Sequence, residues 1–146
     1  MPIRPPIVAL AYLVMAWGLD HGLGAPRVVP GRWDDAGLVL LGAGGALIAW
    51  SIVLFRRAGT SHDPADMPTA LVESGPYRLT RNPMYLGLST ILLGIGLVVG
   101  SVPFLLVPPA FLLTMNLAYV PREERALEEA IGDEYREYRK RVRRWL

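Results

Sequence analysis

The residues with the most chemical capacity fall in two short stretches. One reads Leu71-Val72-Glu73-Ser74-Gly75-Pro76-Tyr77-Arg78-Leu79-Thr80-Arg81-Asn82-Pro83-Met84-Tyr85-Leu86-Gly87, the other Pro121-Arg122-Glu123-Glu124-Arg125-Ala126-Leu127. Together they supply guanidiniums, a carboxamide, two tyrosines and an adjacent pair of carboxylates. Arginine suits an anionic group on a ligand, a carboxylate suits an ammonium, and a carboxylate or tyrosine can take a proton. Other chemistries are closed. There is no cysteine, so disulfides, thiolate catalysis and cysteine-based zinc sites are excluded, and two histidines, His21 and His62, are too few for a histidine-rich metal centre. His62, in a Ser-His-Asp-Pro loop, reads as a solvated turn residue. No metal is expected, and the reactive group of any catalysis must come from a bound cofactor.

The elements that position these stretches are apolar. The 146 residues are 52% hydrophobic and 19% charged, with a mean hydropathy of +0.32. Length implies one domain, 1–146, and the long uncharged blocks imply an all-α integral membrane protein. About four transmembrane helices are expected, near 5–20, 36–55, 84–100 and 102–120. They leave a loop at 56–83 and an amphipathic tail at 121–146. The first block has a signal peptide as its rival, but Pro26 follows the only small-residue site, Leu23-Gly24-Ala25, and argues against cleavage. In the second block, Gly42, Gly44, Gly45 and Ala46 are small enough for a neighbouring helix to approach closely. Only Gly100-Ser101 and Pro103 separate blocks three and four, which predicts a tight hairpin. Pro108-Pro109 predict a kink or break in the fourth helix.

Charge gives the expected orientation. The segment joining blocks one and two holds Arg27 and Arg32 against Asp20, Asp34 and Asp35, while the other 13 of 15 basic residues lie at Arg4, in the 56–83 loop and in the tail. The positive-inside rule then places both termini and that loop in the cytoplasm, with the chain integral to the inner, cytoplasmic membrane. The pI of about 9.2 is therefore a topology signal. No soluble basic domain is present to serve nucleic acid. In the tail, Leu127, Ile131, Tyr135, Tyr138, Val142 and Trp145 recur at spacings of three and four, with Gly132 as an interruption and Asp133 as the start of a second short helix. This stripe is expected in the membrane interface or against the bundle ends. In a four-helix arrangement, the start of helix three and the end of helix four share one mouth of the bundle, so the two polar stretches converge there.

Ser74-Gly75-Pro76-Tyr77, then Arg81-Asn82-Pro83-Met84-Tyr85 with Gly87, then Glu123-Glu124 with Leu127, Gly132, Tyr135 and Tyr138, resemble the integral-membrane methyltransferases. That superfamily includes isoprenylcysteine carboxyl methyltransferases and phospholipid N-methyltransferases. The resemblance covers roughly Gly59 to Leu146, the first two helices matching only as generic spans. The Arg-Asn-Pro-Met-Tyr form and the terminal Val142-Arg143-Arg144-Trp145-Leu146 are most similar to small bacterial members. It implies S-adenosylmethionine as cofactor. Thr69, Ala70, Leu71 and Val72 would line its adenosine, and Tyr77 and Tyr85 would frame it. Asn82, Pro83 and Met84 would offer backbone and amide contacts, and Glu123 would take the ammonium. Arg81 would meet the cofactor carboxylate or an anionic substrate group, and Glu124 is the candidate base.

The implied reaction is methyl transfer to a lipophilic small molecule or lipid that arrives from the bilayer. Where the isoprenylcysteine enzymes carry a substrate-binding arginine, four residues before the ammonium-binding glutamate, this chain has Tyr119. A lipid amine, another lipid, a thiol or an isoprenoid acid all stay open as acceptors. Each residue type also has an ordinary role: tyrosines anchor at membrane boundaries, arginines flank spans, acids favour first turns, and Asn116 can hydrogen-bond between helices. The rival function is a non-enzymatic four-helix scaffold whose basic tail docks a partner or anionic lipid.

Overall fold

A computed structural model describes residues 3–60 and 69–146; His62 lies outside them. Helix α1 (Pro5–Leu23) is followed by α2 (Asp34–Arg57), α3 (Pro83–Val99), α4 (Val102–Thr114), a π-helical turn (Met115–Tyr119), α5 (Val120–Ile131) and α6 (Asp133–Arg141). The elements are helical throughout, as the apolar blocks require. Among the described residues, three rods are long and apolar enough to cross a membrane: Pro5–Leu23, Gly31–Arg57 and Val102–Ile131. Helix α3 is apolar but has 17 residues. At 1.5 Å per residue it covers about 25 Å, somewhat less than a hydrocarbon core of about 30 Å.

Position explains the difference. Helix α3 lies between α2 and α4 and buries residues along its length, from Pro83, Tyr85 and Gly87 to Leu92 and Gly96. Helix α1 packs on α4, where Ala9 and Ala16 are buried seven residues apart. The outer helices turn Leu10, Val14, Trp17, Leu38, Val39, Leu106 and Leu113 outward. A continuous apolar exterior of this kind is suited to lipid.

The boundaries follow local chemistry. Helix α1 runs three residues past the expected 20 and stops where Gly24 takes φ 58°. Helix α2 absorbs its charged flanks, with Asp34 and Asp35 in the first turn and Arg56 and Arg57 in the last, the signs the helix dipole favours. Pro83 opens α3, since a first-turn residue needs no N–H partner, and Gly100 at φ 75° closes it into the hairpin with α4. At this end of the bundle the Val28 and Val29 amides donate to the Gly100 carbonyl, at 2.7 and 3.0 Å, so the α1–α2 link braces the α3–α4 turn.

Two expectations about backbone packing are corrected. Pro108-Pro109 do not break the fourth rod, which continues from Val102 to Ile131 and so joins the apolar span to the first part of the tail. Phe104, Val107, Phe111 and Met115, buried at spacings of three and four, hold it in place. The irregularity falls instead at Met115–Tyr119, where the Val120 amide bonds to the Met115 carbonyl in a π turn. Pro121 offers no N–H to the Leu117 carbonyl, and a wider turn absorbs that missing donor. The small residues of α2 also divide otherwise than expected. Gly44 does sit at the α2–α3 contact, but its companion is Gly37, while Gly42 and Gly45 have open space where a side chain would stand. Gly37 faces Gly94 and Gly44 faces Gly87, a seven-residue register on both helices. A Cβ on Gly44 would lie 2.5 Å from the Gly87 carbonyl oxygen. Gly132, at φ 71°, separates α5 from α6 as its position implies.

Gly44→Val should force α2 from α3 at a cost of about 1–3 kcal/mol, while Gly42→Val should be tolerated. Thermal unfolding in detergent checks this: the first variant melts earlier than wild type, the second does not.

Candidate active site

A cavity of about 410 Å³ opens where α1 begins, α2 ends, α3 begins and α5–α6 turn back over the bundle. Its walls are largely apolar, with Pro5 and Pro6 from α1, Ile48 and Phe55 from α2, and Leu88 from α3. The two polar stretches do converge here. Ala70, Leu71, Val72, Tyr77, Arg81, Asn82, Pro83, Met84, Tyr85, Glu123 and Glu124 all line it. Thr69 does not: its amide donates to Thr60 Oγ1 at 3.0 Å and its hydroxyl to the Gly59 carbonyl at 3.5 Å, pinning the start of the loop. Gly75, at φ 58°, lets the following turn pass close to Trp50, and Pro76 and Tyr77 are thereby buried.

The adjacent carboxylates have separate surroundings, because neighbours on a helix point about 100° apart. Glu123 is half-buried and accepts a hydrogen bond from Tyr85 Oη on its Oε1. Among the described residues it makes no ion pair, and its Oε2 has no hydrogen-bond partner. Glu124, 7% exposed, is saturated. Arg144 donates from Nε to Oε1 at 3.1 Å and from Nη2 to Oε2 at 2.6 Å, and Arg81 Nη2 stands 3.2 Å from Oε1. Arg81 Nε and Nη1 and the Tyr135 hydroxyl are buried with no hydrogen-bond partner among the described residues. Each such donor costs about 1–3 kcal/mol unless something accepts from it.

The tail does more than cover the end of the bundle. The Arg81 amide donates to the Arg143 carbonyl at 2.9 Å, and Thr80 Oγ1 and Asn82 Nδ2 both donate to the Arg144 carbonyl, at 3.0 and 2.9 Å. Arg144 Nη1 and Trp145 Nε1 reach Asn116 Oδ1 in the π turn, at 3.3 and 3.0 Å. Tyr138 Oη donates to the Tyr77 carbonyl at 2.7 Å. Asn82 thus spends an amide hydrogen on the tail, and Asn116 serves as its receiver.

A family model described as phospholipid methyltransferase matches residues 34–134. The chain belongs to the phospholipid methyltransferase family. That match takes in α2, which reads only as a generic apolar span from its residues, and stops just before Tyr135. An uncharacterized protein of Haemophilus influenzae is 46% identical over 63 residues, 43% of this chain and all of that protein. No solved structure matches the chain.

For a phospholipid methyltransferase family member, several cavity residues lie outside the two motifs. Pro5, Pro6, Ile48 and Phe55 come from the first two helices, and their only signal in the sequence is apolar. Tyr135 and Tyr138 carried more, a spacing of three on the amphipathic stripe and a place in the resemblance, and both are almost fully buried. Tyr119, at the position of the substrate-binding arginine of the isoprenylcysteine enzymes, donates its hydroxyl to the Ile3 carbonyl at 2.8 Å and so ties down the start of α1.

Burial pushes the Tyr77 and Tyr138 phenols above the ordinary tyrosine value of 10. Both should stay neutral in the folded protein while the unfolded chain ionises. Their contribution to stability is then complete below pH 10 and is lost as pH rises beyond it. Unfolding midpoints should be flat between neutral pH and about 9 and fall above about 10, and the double variant Tyr77→Phe/Tyr138→Phe should fall less steeply.

Proposed function

We propose that the chain transfers a methyl group from S-adenosylmethionine to an amine-bearing or other lipophilic acceptor drawn from the bilayer, at the cytoplasmic face. The observation that carries this reading is Glu123: a half-buried carboxylate held by Tyr85, without a cation of its own among the described residues, on the wall of an aromatic and apolar cavity. An unpaired anion in such surroundings calls for a cationic ligand. Nearby, Arg81 has donors left over. A ligand with an ammonium, a carboxylate and an aromatic base fits these residues, and the cofactor named by the resemblance has all three.

Bound there, S-adenosylmethionine supplies a methyl group on an electrophilic sulfonium. The chain's residues do the rest. Glu123 takes the ammonium, with Tyr85 fixing the carboxylate's orientation. Ala70, Leu71 and Val72 would give an apolar bed for adenosine, and the Tyr77 and Tyr85 rings, on the same cavity, would offer aromatic faces that favour a positive sulfur. Pro83 and Met84 bound the site at the start of α3. Holding donor and acceptor in line lowers the barrier by several kcal/mol, up to roughly 7–11 in the best cases. Glu124, with both oxygens on guanidiniums, acts on Arg81 rather than on the acceptor. Pro5 and Pro6 of α1 and Ile48 and Phe55 of α2 form an apolar side through which a lipid chain can lie while its headgroup reaches the cavity. The Tyr119 hydroxyl is spent on Ile3, so this position offers nothing to a prenylcysteine carboxylate, and the family match favours a phospholipid headgroup amine.

Isothermal calorimetry of the purified protein in detergent should show S-adenosylmethionine binding. Glu123→Gln, which removes the charge at constant size, should weaken it about 10- to 100-fold, the worth of a charged hydrogen bond, and Tyr85→Phe by less. A wild-type protein that binds no S-adenosylmethionine would falsify this reading.

A further inference from the structure

We infer that Arg144 is a positioning residue: by holding both oxygens of Glu124 it leaves Arg81 available, together with Tyr135, to take the carboxylate of the cofactor's amino-acid moiety. The inference rests on the cofactor reading above and adds to it two residues of the tail. One carboxylate, Glu124, is shared between two guanidiniums, and the sharing is unequal. Arg144 grips both oxygens in a fork, at 3.1 and 2.6 Å, whereas Arg81 reaches only Oε1, at 3.2 Å. The three groups carry two positive charges and one negative, so the surplus charge belongs to the weaker-held cation. Arg81 is one-tenth exposed, and its Nε and Nη1 have no acceptor among the described residues. Tyr135, 1% exposed and on the same cavity, has a hydroxyl in the same condition.

The other half of the pattern is Glu123, the neighbouring carboxylate with no cation among the described residues. An α-amino acid carries an ammonium and a carboxylate on one carbon, and this wall offers an anion for the first and unspent donors for the second. The Arg81 and Tyr135 donors lie out of reach of water, so the carboxylate is met by a turn of the Arg81 guanidinium off Glu124. Arg144 makes that turn favourable, because Glu124 keeps two charged hydrogen bonds when Arg81 leaves. Without Arg144, the only guanidinium beside Glu124 among the described residues would be Arg81, and the pair would close into the bidentate geometry these groups prefer. Arg144 does not itself line the cavity. It is fixed from behind by Asn116 on its guanidinium and by Thr80 and Asn82 on its carbonyl.

Calorimetry on the full chain with two ligands, S-adenosylmethionine and its decarboxylated analogue, tests this. Wild type should prefer the carboxylated ligand by about tenfold or more. Arg144→Met should lose that preference while binding the decarboxylated analogue as wild type does, which also shows that the variant is folded. Adding Glu124→Gln to Arg144→Met should restore the preference, since the competing carboxylate is gone. Arg144→Lys, which keeps the charge without the fork, should fall between and serves if the methionine variant does not fold. Equal loss of both ligands, no recovery in the double variant, or an unchanged preference in Arg144→Lys and Arg144→Met overturns the inference alone. A wild type that binds neither ligand overturns the cofactor reading and this inference with it.

Discussion

Glu124 is where three separate parts of the chain meet: its own helix α5, Arg81 before α3, and Arg144 in the tail. A buried carboxylate cannot stand alone, and removing one partner of such a cluster is costly, about 3–5 kcal/mol in comparable cases. The ion cluster therefore dictates that the loop before α3 and the residues after α6 lie on the same side of α5. The carbonyls of Arg143 and Arg144, the Arg81 amide and the Asn82 side chain then complete the join. The cavity exists because this join closes one end of the bundle while α1 and α2 contribute only apolar side walls.

The bundle supplies the second constraint. Paired glycines bring α2 and α3 to near backbone contact, so the end of α2 and the start of α3 stand beside one another with the Gly75 turn between them. Tyr85 lies two residues along from Pro83 and reaches across to Glu123 on α5. The π turn at Met115–Tyr119 sits just before that helix, and Asn116 within it receives the tail. Irregular backbone is thus concentrated around the site, while the opposite end of the bundle is tied by main-chain bonds to Gly100. Chemistry and scaffold are separated along one axis.

The convergence of Leu71–Gly87 with Pro121–Leu127 was legible because polar residues beside apolar spans have few other uses, and because up-and-down helices force those ends together. The helical class and the break at Gly132 were legible for similar local reasons. What was not legible depended on partners far away in sequence. Arg144 is one of several basic residues in the tail, and nothing in its spacing separates it from Arg143 or Arg141; only its placement over Glu124 does. The glycine register could not be read because Gly42, Gly44 and Gly45 are alike until α3 chooses a face. The double proline does not bring the expected break, for the reason that a helix packed on two sides can lose two amide donors and continue; the irregularity at Met115–Tyr119 answers Pro121 instead. Pro5, Pro6, Ile48 and Phe55 looked like any span residues.

The scaffold alternative calls for a tail held out to a partner, whereas Tyr138, Arg144 and Trp145 turn inward onto the cavity and its supports. The decisive measurement is transfer of a labelled methyl group from S-adenosylmethionine to a total membrane-lipid extract, with the products separated and identified. Labelled lipid, formed by wild type and not by Glu123→Gln, is the predicted result. An extract that stays unlabelled while the protein is folded and binds the cofactor would contradict a lipid acceptor.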